Sequence, residues 1–382
     1  MKYRDAYIDR ISDWLNVNPT QLELYWKGRV GLYALLKAFG IQKNDEVILP
    51  AFTCVVVPNA IIYCGAKPVY VDIKSETLNT NLENIKAKVN SNTKTIIIQN
   101  TFGLSNDVQE IVAFAKANNI LTIEDCTHGF GGEYEGKPNG SYCDAAFYST
   151  QWNKPFSTGI GGFAVMNNTM YLDAFNKVNS ELGSPSKKDR YILASLIQAK
   201  KYLLHDSTYW TAIKLYRRMS KSGLVVGSSK GEELTGTKMP KDYFLRSVKV
   251  QEKVGEKALQ YLPEQLRKRK ENGMRYNTYF RSIGKWNYQD DDLKNHSFLN
   301  YPVFVKDKEA FKAAAENEKI RLGDWFVSPI HPVLDNFEMW NLNTSEYPIS
   351  VNKSAHILNL PTTPKSIEKV IEFIESHKDF LL

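Results

Sequence analysis

The chain has 382 residues and a formal net charge of +7, with 43% hydrophobic and 24% charged residues. These proportions exclude a disordered chain, a collagen and a coiled coil, and the length is too great for one small core, so two domains are expected. No apolar run approaches the roughly 18 to 20 residues a membrane span requires, and the opening MKYRDAYIDRISDW carries charges inside its apolar pattern, unlike a secretory signal.

The first half alternates between two periodicities. Residues 30–39 (VGLYALLKAF) have helical spacing and end at Gly40. Residues 46–50 (EVILP) are a short apolar run stopped by proline, and 55–63 again suit a helix. Residues 67–73, 94–99 and 121–125 are β-branched runs of strand length. Between the last two, residues 107–118 form an amphipathic helix pattern with Asp107 at its start. Residues 144–150 and 162–167 close the series. Such alternation predicts an α/β fold: a mainly parallel sheet covered by helices.

Residues 185–230 are different: helical in pattern, with ten basic residues against two acidic ones. The segment is read three ways: a solvated helical face, a funnel for a diphosphate, or a contact with an anionic membrane surface. A long charged helix pattern begins at Arg246 and is interrupted at Pro263. From about Phe298 short strands and helices alternate, ending in a helix over 366–377. The expected division is a large domain, 1–250, with a basic insertion at about 170–240, and a smaller α/β domain, 251–382.

Cys54, Cys64, Cys126 and Cys143 contain no CxxC pair. Neither a zinc site nor a disulfide framework is suggested, and reduced thiols in the cytoplasm are expected. The positive charge comes without a nucleic-acid recognition motif, so no nucleic-acid partner is expected.

In an open parallel sheet, ligands sit beyond the carboxyl ends of the strands. After 121–123 comes Glu124-Asp125-Cys126-Thr127-His128. After 145–148 comes Ser149, then Lys154 five residues on, then a Gly-rich run to Gly162. Gly28-Arg29-Val30 opens the first long helix pattern. An acid, a lysine, a hydroxyl and a helix N-terminus on one crevice suit a ligand with a basic ring nitrogen, an aldehyde and a phosphate. Pyridoxal 5′-phosphate (PLP) has all three.

The segments GRVGLYALLKAFGIQKNDEVILPAFT, GAKPVYVDI, IEDCTHGFGGEYEGKPNGSYCDAAFYST and NKPFSTGIGGFAV, over about 26–167, resemble the sugar aminotransferases typified by the DegT, DnrJ, EryC and StrS proteins. Weaker agreement resumes at LRSVKVQEKVGEKALQYL and LNLPTTP. The resemblance implies a PLP-dependent transferase of the aspartate-aminotransferase fold (fold type I). Lys154 stands where the family has its Schiff-base lysine, Asp125 where a carboxylate meets the pyridine nitrogen, and His128 beside the ring oxygen. Ser149 and the backbone of Gly28, Arg29 and Val30 would receive the phosphate. A threonine followed by a ring-stacking aromatic is common in the family; here Thr53 is followed by Cys54. Either Cys54 packs on the ring or Phe52 takes that place. Phe244, two residues before Arg246, replaces an Asn that reaches the neighbouring subunit's phosphate, and Arg29 is expected to supply the missing contact. The implied activity is transfer of an amino group, from L-glutamate, to a nucleotide-linked keto sugar by a homodimer. The alternatives are a sugar dehydratase of the same fold, which Lys154 argues against, and a non-catalytic PLP-binding sensor or scaffold.

Overall fold

Ten short strands and seven helices build the first half of the computed structural model, which describes residues 2–203, Thr208 and 231–382. The strands are β1 (Leu22–Tyr25), β2 (Glu46–Pro50), β3 (Thr53–Cys54), β4 (Lys67–Val71), β5 (Thr93–Gln99), β6 (Leu121–Asp125), β7 (Glu133–Tyr134), β8 (Lys137–Pro138), β9 (Ala145–Ser149) and β10 (Gly162–Met166). The helices are α1 (Lys2–Leu15), α2 (Gly28–Ala38), α3 (Val56–Tyr63), α4 (Leu82–Lys86), α5 (Val108–Ala117), α6 (Leu172–Ser180) and α7 (Lys187–Leu203).

Seven of the strands make one sheet in the order β1-β10-β9-β6-β5-β2-β4. The run from β9 to β4 is parallel, while β10 and β1 are antiparallel additions at one edge. Every residue of β2, β9 and β10 is buried. Strands covered on both faces read as continuous apolar runs, which is why these segments lack alternation. Helices α2 and α3 cover one face, with Leu32, Leu35, Leu36 and Ile61 in the main core. On the other face, Val108, Ile111 and Ala115 of α5 pack on Ile96 and Ile98.

The later helix pattern divides as the proline requires. One helix spans Lys249–Gln260 and the next Leu262–Ser282, with Pro263 in its first turn. A second core gathers Tyr276, Phe280, Tyr301, Val303, Leu358, Leu360 and Phe373 around a two-stranded antiparallel sheet, β11 (Asn300–Phe304) with β13 (Ile357–Pro361). Between them β12 (Ile330–His331) pairs in parallel with β3 as a separate two-stranded sheet, which ties the chain after residue 325 to the segment that follows β2. The final helix, Ile367–Ser376, is capped by Ser366, whose hydroxyl accepts from Lys369 N at 3.2 Å.

Of the basic stretch, α7 is described and packs Leu193 and Ile197 against Trp26, Trp152 and Ile160. Residues 204–207 and 209–230, which carry much of the expected funnel or membrane contact, lie outside the described residues. No helix among the described residues is long and apolar enough to cross a membrane.

The start of α2 lies directly on the ends of β9 and β10. A Cβ at Gly28 would stand 2.6 Å from Tyr148 O and 3.0 Å from Ser149 Cα, and one at Gly162 would run into Gly28 Cα and Tyr148 O. Both obstacles at Gly162 are backbone. Gly162→Ala is therefore expected to destabilise by about 3 kcal/mol or more. Gly136→Ala, with nothing nearby but a φ of +74°, should cost about 1 kcal/mol. Denaturant unfolding of the two variants checks the contrast, and equal losses would refute it.

Candidate active site

The carboxyl ends of β5, β6 and β9 open onto one cavity. Its walls include Arg29, Cys54, Gln99, Asp125, Thr127, His128, Phe147, Ser149, Gln151, Lys154, Trp325 and Phe326. Six of the eight residues expected from sequence therefore converge: Arg29, Cys54, Asp125, His128, Ser149 and Lys154. Gly28 and Val30 do not line it. Gly28 is the close-packing residue described above, and the Val30 amide already donates to Lys27 O at 3.1 Å. Arg29 is the member of that trio that faces the cavity.

Lys154 sits in a loop that the sequence closes on itself. Thr150 N donates to Gly161 O and Thr158 N to Thr150 O, both at 2.9 Å, while the hydroxyls of Thr150 and Thr158 meet at 2.7 Å. Gln251 reaches in from the 249–260 helix and donates to Ile160 O at 2.5 Å and Trp26 O at 3.1 Å. Gly159 and Gly161 take positive φ, 91° and 150°, which explains the glycine-rich spelling after the lysine. The loop is thereby rigid where it must place an amine. Lys154 is 8% exposed, and burial lowers the pKa of its amine to about 8, against the opposing pull of Asp125.

Asp125 ends β6, opposite Gln99 on one side and Phe147 on the other. Its Oδ1 accepts from Thr127 N at 2.9 Å, an Asx-turn that starts the loop to His128. Burial raises this carboxyl above its usual range, while Thr127 and the charge on Lys154 work against the shift. His128 is buried beside Phe102 and Phe326, both near-parallel to it at 5.8 Å and 5.7 Å from each other. Burial, with the positive charge of Lys154, holds its pKa well below the usual value. The ring is thus neutral. Its Nδ1 accepts from Phe102 N at 3.3 Å, so the proton resides on Nε2.

Arg29 is also constrained. Its Nη1 donates to Glu233 Oε1 at 2.7 Å, and Lys27 Nζ lies 3.9 Å from the other oxygen. Glu233 is held further by Asn59, which donates to its carbonyl at 2.8 Å and accepts from Trp340 Nε1 at 2.7 Å. Phe244, at the position of the missing Asn, packs edge-on against Tyr33.

Of the two candidates for the ring-stacking place, Cys54 lines the cavity and Phe52 does not. Phe52 belongs to a core cluster with Ile73, Leu78, Phe102 and Phe326. Gln99, Phe147, Trp325, Phe326 and Glu233 were not singled out as cofactor residues. Gln99 had a usable signal, since it ends β5, whereas Phe147 lies in the middle of β9. Glu233 had none, because its Arg29 partner is 204 residues away.

A lysine pKa lowered by burial sets a stability trend with a definite sign. Below about pH 8 both folded and unfolded chains hold the proton, and the folded state bears the full penalty. Between about 8 and the ordinary 10.5 only the unfolded chain holds it, so stability rises with pH; above that the penalty is gone. Lys154→Met should therefore be the more stable protein at pH 7, by on the order of 3 kcal/mol. The gap to the parent should close by about pH 10.5. Denaturant unfolding of the cofactor-free proteins across this range tests it, and a pH-independent gap would refute it.

Comparison with known proteins identifies the family. Residues 27–375 match the DegT/DnrJ/EryC1/StrS aminotransferase family. GDP-perosamine synthase of Escherichia coli O157:H7 is 39% identical over 146 residues, 38% of this chain and 40% of that protein. The chain thus aligns with about two fifths of that relative's length. The spore coat polysaccharide biosynthesis protein SpsC of Bacillus subtilis is 26% identical over 92% of this chain and 82% of its own. A solved aminotransferase of this family from Brucella abortus superposes with a TM-score of 0.75 at 19% identity, covering 99% of this chain and 90% of that one. The chain belongs to the DegT/DnrJ/EryC1/StrS aminotransferase family.

Proposed function

We propose that the protein is an aminotransferase that moves an amino group from L-glutamate to a nucleotide-linked keto sugar. The observation that carries the reading is a buried lysine of lowered pKa sharing one cavity with a buried carboxylate at the strand ends. The family uses PLP, and the donor set fits that group. Asp125 is a buried carboxylate suited to a protonated ring nitrogen. His128 keeps its one proton on Nε2, a donor suited to the ring oxygen. Ser149, Arg29 and the positive end of α2 suit a phosphate dianion.

When bound, PLP supplies an electron sink for the carbanion formed at the donor's α-carbon. The chain supplies the rest. With its pKa lowered to about 8, Lys154 is more readily neutral near pH 7 than an exposed lysine, and more so as pH approaches 8. That neutral amine would carry the proton between the donor's α-carbon and C4′ of the cofactor. Asp125 would hold negative charge at the ring nitrogen, and Phe147, Trp325 and Phe326 give the cavity an aromatic wall. The sugar-nucleotide substrate is supported by the GDP-sugar relative, and the amine's presence at 154 removes the support for a dehydratase. A homodimer acting in the cytoplasm completes the proposal, and the four cysteines are all free thiols.

The first test is the absorbance of purified protein with PLP, before and after glutamate. Loss of the visible band with gain of the pyridoxamine band is expected. A persistent visible band would remove glutamate as donor, and no visible band at all would remove Lys154 as the attachment point. In addition, Arg29→Ala should lose PLP on dialysis more readily than the parent. Equal retention, read from the absorbance left after dialysis, would show that Arg29 does not hold the phosphate.

A further inference from the structure

Cys54 leaves one wall of the cavity without an aromatic side chain, and Phe52 is committed to the core cluster that holds Phe102 and Phe326. The register of the neighbouring strand shows what fills the gap. In the β3–β12 pair, Cys54 lies opposite His331. The His331 ring stacks on the Trp325 indole, with centroids 4.3 Å apart and planes 27° apart. The indole is therefore one ring layer away from the strand that carries Cys54.

The same indole faces the reactive amine: Lys154 Nζ lies 4.5 Å from its ring centroid. A pyridine ring joined to Nζ through a single carbon begins two bonds from that atom. Such a ring can reach the distance, about 4.5 to 7 Å between centroids, over which aromatic rings pair. The indole is also held in place. Trp325 N donates to Asn359 Oδ1 at 2.8 Å, and Asn359 Nδ2 donates back to Trp325 O at 2.5 Å. Asn359 is 1% exposed, and its own backbone pairs with Gly323 in both directions at 2.8 and 2.9 Å. One buried amide thus clamps residue 325 from the small sheet. His128 adds an edge-on contact at 5.5 Å.

We propose that Trp325 is the side chain on which the cofactor ring packs, supplying from the 323–331 loop the aromatic surface that position 54 lacks. This rests on Lys154 being the attachment point. The role is a cofactor contact, and it predicts an effect on PLP affinity before any effect on turnover.

The experiment compares the parent with Trp325→Ala, Trp325→Phe and the double variant Cys54→Phe/Trp325→Ala. PLP is titrated while the visible band and the tryptophan emission are recorded. Trp325→Ala should bind PLP about tenfold more weakly, and Trp325→Phe close to the parent. The added phenylalanine at 54 should restore most of the affinity. The drop in tryptophan emission on PLP addition should be smaller in Trp325→Phe, because the quenched indole is gone; this arm stands even if Trp325→Ala folds poorly. Unchanged PLP affinity and unchanged quenching would overturn the proposal. So would a Trp325→Ala protein that binds PLP like the parent and shows only a raised KM for the keto sugar, which would assign the indole to the sugar. A parent protein with no visible band would instead refute the underlying reading of Lys154.

Discussion

An amine kept out of water is the constraint on which the site depends. Burying an ammonium group is costly, and the group responds by giving up its proton more easily. Lys154 does this only because its loop cannot swing outward. The Thr150–Thr158 contact closes the loop, Gln251 pins it from a distant helix, and two glycines make the turns that no branched residue would tolerate. Asp125 limits the shift, so the amine stays within reach of neutral pH. The chemistry follows from a compromise between desolvation and one opposing charge.

A second charge arrangement lies at the start of α2. Arg29 and Glu233 are a buried ion pair, with Lys27 close by. Pairs of this kind contribute little net stability but penalise the loss of either partner heavily. Their effect here is positional. Glu233 fixes one edge of a guanidinium whose residue lines the cavity, and Asn59 and Trp340 fix Glu233 in turn. The short helix Gly231–Thr235, just after the basic stretch, is thereby part of the site's supporting structure.

How much of this was legible beforehand depended on the distance over which each feature acts. Asp125, Ser149 and Lys154 were found because a parallel sheet places its strand ends together, and strand ends are visible as local periodicity. The alternation also showed where six of the seven strands of the main sheet fall, within a residue or two, while β1 was not read. The antiparallel attachment of β10 and β1 was not visible, because an all-buried strand such as 162–166 reads the same in either direction. Val30 was expected to offer its amide to a phosphate, yet in the fold that amide serves the helix's own first turn. Nothing in the residue type distinguishes the two.

By itself, the sequence determined the α/β class, the order of the main strands and of the helices α2, α3 and α5 between them, and an acid, a hydroxyl and a lysine at or just after the strand ends. These rest on interactions within a few residues: periodicity, glycine turns, and helix starts. The tertiary structure alone decided what surrounds them. It brought Trp325 over Lys154 through a strand pair between residues 53–54 and 330–331, and it gave Glu233 to Arg29 across 204 residues. It also chose between Phe52 and Cys54 at the cavity wall, by packing the larger ring into the core. Contacts of that range are set by how the layers close on one another, and no local pattern records them.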